Sequence, residues 1–230
     1  MQLQPYLKKG NPDSCPSCTC FFCTTAKMKP EITKSLFIFS LLNVGNAFSF
    51  SQPTGICSFN ADSYTGGWYE IATSDYVSMT TEAGCKCSAA YYTTNPNDTN
   101  VLDVTNSCIR NGRFWSVTGQ VHSAPAGQPQ GNLHVSLDGY PTRTNGTNYH
   151  ILKLYGGTEE PQQAVVGGSD ENHWWLLSRN PNWNDTIWYN VVHVLEASEY
   201  NITGFRVPEQ TCQFLGSHGR NLIPPPSVRK

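Results

Sequence analysis

Nine cysteines, six histidines and a lone glutamate beside a tryptophan are the residues with chemistry to offer in this 230-residue chain. Cys15, Cys18, Cys20 and Cys23 lie within CPSCTCFFC, where C-x-x-C spacing suits a thiolate metal site. They stand ahead of Met28 and are expected to leave with the leader described below, so no metal site is expected in the remainder. Cys57, Cys85, Cys87, Cys108 and Cys212 follow, and in an exported chain they are disulfide candidates. Their odd number leaves at least one outside intramolecular pairing. Glu70 shares strand parity with Trp68, so it is a candidate interior carboxylate for acid–base work. His122, His134 and His150 fall on neighbouring strand-like runs, where an inward imidazole could hold a haem. No G-x-S-x-G, H-E-x-x-H or glycine-rich phosphate loop is present. These features favour a non-enzyme without a cofactor. An enzyme acting on an apolar ligand and a haem binder stand as the alternatives.

The elements that position these residues are short. After Pro53, apolar or alternating runs are broken by turn residues. They cover Trp68–Thr73, Lys86–Thr94, Val101–Ile109, Phe114–His122, Asn132–Leu137, Asn148–Tyr155, Gln163–Gly167 and His173–Leu177. Eight strands at even spacing predict an all-β protein, an antiparallel barrel or sandwich. Ile187, Val191, Val194, Leu195 and Ser198 then recur at helical spacing, behind Asn184 and Asp185 as first-turn caps. This predicts one late helix of about three turns, stopped by Pro208.

An eight-stranded barrel can enclose one small ligand, provided one end is shut. In Gly66-Gly67-Trp68 the two glycines allow the backbone to cross closely under the barrel. The indole of Trp68 is then the expected floor.

Residues 28–47 read as a leader: Lys29 and Lys34, an apolar core over Leu36–Leu42, and small residues before a cleavage expected after Ala47. Residues 1–27 are an upstream extension or a presequence. The barrel domain is expected over 48–216, and a disordered tail over 217–230, around Pro224-Pro225-Pro226. The apolar core of the leader is too short for a membrane span. Net charge is −2 with no basic patch, which argues against a nucleic-acid partner. The sequons at Asn97, Asn145, Asn184 and Asn201 are glycosylation candidates at surface loops of a secreted chain. Monomer and dimer are both open.

Four motifs, in order, carry a resemblance. They are Gly66-Gly67-Trp68-Tyr69-Glu70-Ile71-Ala72, Cys87-Ser88-Ala89-Ala90-Tyr91-Tyr92, Val104-Thr105-Asn106-Ser107-Cys108 and Trp175-Leu176-Leu177-Ser178-Arg179-Asn180-Pro181. With the trailing helix, the chain resembles the lipocalins, in the branch of apolipoprotein D and the bacterial lipocalins. The resemblance implies an eight-stranded up-and-down β-barrel with a C-terminal α-helix packed on it. It also implies an extracellular carrier of a small hydrophobic ligand: a fatty acid, sterol, retinoid, carotenoid or bilin. It places Arg179 across Trp68 as a cation–π plug. The family's T-D-Y loop signature is missing at Tyr155-Gly156-Gly157, which leaves receptor binding without support.

Taking Thr94 opposite Val101 in the second hairpin puts Cys87 opposite Cys108, at bridging distance. The resemblance also implies a bridge from this strand to the C-terminal segment, joining Cys87 or Cys85 to Cys212, and Cys212 is expected to be tethered to the second strand. With Cys87 outward, strand parity turns Ser88, Ala90 and Tyr92 inward. The same alternation nominates Trp115 and Val117, Leu133, Val135 and Leu137, and Trp175 and Leu177 as ligand-lining positions.

Overall fold

A strand that alternates inward and outward side chains must bury both faces when a barrel lies on one side of it and a helix on the other. The computed structural model resolves this into two apolar layers. It describes residues 54–141, 146–182 and 185–212. The extension 1–27, the expected leader, the tail over 217–230, Asn145 and Asn184 lie outside the described residues.

The elements run α1 (Ala61–Tyr64), β1 (Gly66–Ser74), α2 (Asp75–Met79), β2 (Cys85–Thr94), β3 (Val101–Arg110), β4 (Arg113–Ser123) and β5 (Asn132–Leu137). They continue with β6 (Tyr149–Tyr155), β7 (Gln163–Gly167), β8 (Trp174–Ser178), α3 (Asp185–Ala197) and β9 (Phe205–Arg206). Every sheet pairing is antiparallel between sequence neighbours from β2 to β8, and β1 pairs with both β8 and β2, which closes the barrel. The expected eight strands are all present. The two-residue β9 is an addition that the sequence did not announce. It pairs with Thr73 and Ser74, where β1 has run past its β2 partner.

The inner layer gathers Trp68, Tyr92, Leu102, Val104, Val121, Leu133, Ile151, Val166 and Leu177. The outer layer lies under α3, where Val191 and Leu195 pack with Ile71, Ala72, Leu152, Val165, Trp174 and Leu176. A bulge between Glu70 and Ala72 lets two consecutive residues, Ile71 and Ala72, join the outer layer while Trp68 and Glu70 stay on the inner side. No helix among the described residues is long and apolar enough to cross a membrane.

The hairpin of β2 and β3 corrects one expectation. Thr94 faces Leu102, and this register runs back to Ala89 opposite Ser107. A bulge then intervenes before Lys86, which faces Ile109. Cys87 sits in the bulge with φ 54° and has left the ladder, its N–H donating to the Glu209 carbonyl at 2.7 Å. Cys87 and Ser88 together lie across from Cys108, and the expected facing pair Cys87 and Cys108 is not bridged. Cys85 bridges to Cys108, and Cys87 bridges to Cys212 across 125 residues of sequence. Neither bridge uses Cys57. The irregular backbone at Cys87 is what aims that thiol away from the hairpin and towards the C-terminal segment.

His150 shows what a polar side chain costs in this packing. It is 1% exposed, with Nδ1 3.0 Å from Asn132 Oδ1, while Nε2 is buried without a partner. Burial pulls its pKa down from 6.5 to about 4. The folded state thus refuses a proton that the unfolded chain accepts, so this contribution to stability is present above pH 6.5 and is lost as pH falls towards 4. The expected loss over that window is about 3 kcal/mol. Denaturant titrations of the wild type and His150→Gln at stepped pH check it, with the variant expected to show a flatter profile.

Candidate ligand-binding site

The closed end is built from α1 and the start of β1. Asn60 caps α1, its side-chain oxygen accepting from the N–H groups of Asp62 and Ser63. Gly66 follows with φ +93°, a conformation that side chains resist, and a Cβ there would crowd the Arg179 guanidinium at 3.3 Å. This turn drops Trp68 across the barrel, 0% exposed, its indole N–H donating to the Tyr64 carbonyl at 2.8 Å. Arg179 lies over the indole, 3.8 Å from the ring centre. Its guanidinium donates to the carbonyls of Gly67 and Thr65, each at 2.8 Å, and of Ser63 at 3.1 Å. The charge is thereby satisfied by backbone dipoles at the turn that holds the plug.

Above this floor is a cavity of about 410 Å³, the size of sites that bury a small organic ligand. Of the nominated residues, Tyr92, Ala90, Trp115, Val117, Val135, Leu137, Trp175, Leu177 and Ser88 line it. Leu133 does not. It is buried in the inner layer, opposite Tyr149, packed away from the open volume. None of His122, His134 and His150 lines the cavity, so none is aimed at a ligand there. His122 and His134 face each other across β4 and β5, half-buried, with His134 Nδ1 2.6 Å from the Gly146 carbonyl. The histidine at the cavity is His173, tied by Nδ1 to Asp170 at 2.7 Å.

Polar groups occupy two places. At the inner end the hydroxyls of Tyr64, Tyr149 and Tyr92 form a chain, with Tyr149 in the middle at 3.1 Å from each neighbour. Burial pushes the Tyr64 and Tyr149 hydroxyls well above the ordinary phenol range, and Tyr92 up to about 12, so all three keep their protons. On the wall, Glu70 is 6% exposed. Glu82 reaches it from the segment before β2 and accepts from the Trp175 indole N–H at 3.1 Å.

Burial first, and then the adjoining Glu82 carboxyl, raise the Glu70 pKa well above the carboxylate range, against a smaller lowering pull from Arg206. A raised folded-state pKa means stability that is whole in acid and lost as pH climbs. Glu70→Gln removes the ionising group. Thermal melts are expected to show the variant gaining a few degrees over wild type at about pH 8, with the gap closing at about pH 4.

Sequence reasoning missed Tyr149, Glu82, Tyr140 and His173. Tyr149 shares its strand face with Ile151, and the alternation along β6 was the available signal. Glu82 offered none, since it arrives through a loop whose path depends on the whole barrel. Asn97 and Asn201 are exposed, as a glycan site requires.

Three comparisons bear on this geometry. The model of the lipocalin-like domain matches residues 59–210. A putative lipocalin of Acanthamoeba polyphaga mimivirus is 29% identical over 160 residues, covering 67% of this chain and 87% of the relative. The outer membrane lipoprotein Blc of Escherichia coli K12 is 27% identical over 159 residues, covering 66% and 80% respectively. Among solved structures, lobster apocrustacyanin A1 superposes with a TM-score of 0.51 at 18% identity, over 71% of this chain and 92% of that one, which supports the fold.

Proposed function

The chain belongs to the lipocalin family, and on that premise we propose that it carries one small hydrophobic molecule inside its barrel, in an exported location. Members of this family bind small hydrophobic ligands. The observation that carries the reading for this chain is the cavity itself. It holds about 410 Å³ behind a sealed floor, lined by Ala90, Val117, Val135, Trp175 and Leu177. Small residues face large rings across it, so the interior keeps volume that a filled core would lose. At about 25 cal/mol per Å² of apolar surface removed from water, a guest of that size gains enough for micromolar binding or better.

Export is supported by the two disulfides, which fit an oxidising compartment. The expected leader over 28–47 and the sequons Asn97 and Asn201 point the same way. The experiment is native mass spectrometry of the protein purified from its own source, followed by solvent extraction. One defined lipid or pigment per chain supports carriage. A bare protein that also takes up no apolar probe overturns it.

A further inference from the structure

The tyrosine chain at the inner end has more protons than contacts that use them. Three hydroxyls supply three protons, and the two contacts of 3.1 Å consume two. The third must leave the chain at Tyr64, Tyr149 or Tyr92. Tyr64 is 1% exposed, enclosed by the rings of Phe59, Trp68 and Tyr92, and does not line the cavity. A proton directed out there would meet no acceptor among the described residues and carry the full penalty of a buried, unmade hydrogen bond. The favoured arrangements run from Tyr64 towards Tyr149, which leaves the spare proton on Tyr149 or Tyr92. Both line the cavity, and Tyr92 is only 4% exposed. The apolar tunnel therefore ends in a hydrogen-bond donor for which the described residues provide no acceptor.

The charge around the cavity says what kind of acceptor fits. Glu70 and Glu82 line it, and among the described residues no lysine or arginine does. Arg179 lies over the Trp68 ring and is engaged by backbone carbonyls. Arg110 stacks on Trp115 at 4.7 Å and donates to the Thr81 carbonyl on the mouth side. A carboxylate driven to the inner end would be stripped of water, and Arg179, the cation whose charge reaches Tyr92 and Tyr64, does not line the cavity and directs its donors to backbone carbonyls. A neutral oxygen loses far less.

Resting on the carrier reading above, we propose that the inner end of the cavity is a subsite for a neutral oxygen acceptor. A carbonyl or hydroxyl at the leading end of the ligand is held by the hydroxyls of Tyr92 and Tyr149. The ligand enters polar end first, with its hydrocarbon body along Ala90, Val117 and Leu177. Single Tyr→Phe changes at either position leave a donor on the other, so the informative variant is Tyr92→Phe with Tyr149→Phe.

The test displaces a neutral fluorophore with 2-dodecanone, dodecane and dodecanoate, on the wild type and the double variant. A second readout is the infrared carbonyl stretch of carbonyl-labelled 2-dodecanone bound to the wild type. The ketone is expected to bind about tenfold more weakly to the double variant while dodecane is unchanged. On the wild type, dodecanoate is expected to bind more weakly than the ketone. The bound carbonyl stretch is expected at lower wavenumber than in hydrocarbon solvent. An unshifted stretch, or dodecanoate as the tightest of the three, overturns the subsite and leaves carriage standing. If none of the three displaces the fluorophore and the fluorophore itself does not bind, the carrier reading fails and this inference with it. Should the double variant not fold, the infrared measurement on wild type decides.

Discussion

Trp68→Ala is expected to cost about 3–5 kcal/mol, the range for removing a large, fully buried ring that its surroundings cannot replace. The indole is 0% exposed, packs on Tyr64 at 4.7 Å between ring centres, and carries Arg179 over its ring at 3.8 Å. Truncation leaves a void at the floor and strips the guanidinium of its aromatic partner. For a domain of this size the loss corresponds to a fall of about 10 °C in melting temperature. Trp68→Phe keeps most of the packing and loses the donation to the Tyr64 carbonyl, so it is expected to fall between the two. Differential scanning calorimetry of the three proteins checks the order. Equal melting temperatures would show that the floor does not hold the barrel together.

Val117→Trp is expected to weaken guest binding by close to a hundredfold with little loss of stability. Val117 lines the cavity from β4, opposite Asn106 on β3, and Trp115, two residues away on the same face, lines it as well. An indole there occupies space that a ligand would use and buries its own apolar surface in doing so. Denying a guest on the order of 100 Å² of contact removes about 2.5 kcal/mol, close to a hundredfold in affinity. The contrast with Trp68→Ala is diagnostic. One change damages the shell and the other fills the interior, so stability and binding should move independently. Fluorescence titration with a thermal melt on the same sample reads both.

Much of this arrangement was legible because barrels impose a strict alternation. Trp175 and Leu177 face the cavity while Trp174 and Leu176 lie under α3, as a two-residue period requires. The helix was equally plain, since Val191 and Leu195, four apart, are its buried residues. The alternation fails where the backbone leaves the ladder. In the bulge Cys87 and Ser88 share the place across from Cys108 and the Cys87 thiol turns out of the hairpin, and nothing in CKCSAAYY marks which residue will adopt a positive φ. Leu133 had the right parity and the wrong depth: it faces inward yet sits in the packed part of the inner layer. Parity gives the face of a strand and says nothing of height along the barrel. Glu82 and the tyrosine chain required three-dimensional closure, because their partners lie in separate strands and loops.

The central claim is that the barrel is hollow and takes one apolar guest between its sealed floor and its mouth. The most direct test is a titration of the wild-type protein with a neutral naphthylamine fluorophore, following energy transfer from Trp115 and Trp175, which line the cavity. Saturation at one fluorophore per chain and full displacement by an unlabelled long-chain ketone are expected. Fluorescence that rises without saturating, or that no competitor reverses, would mean that the probe meets only the outside of the molecule, and would contradict it.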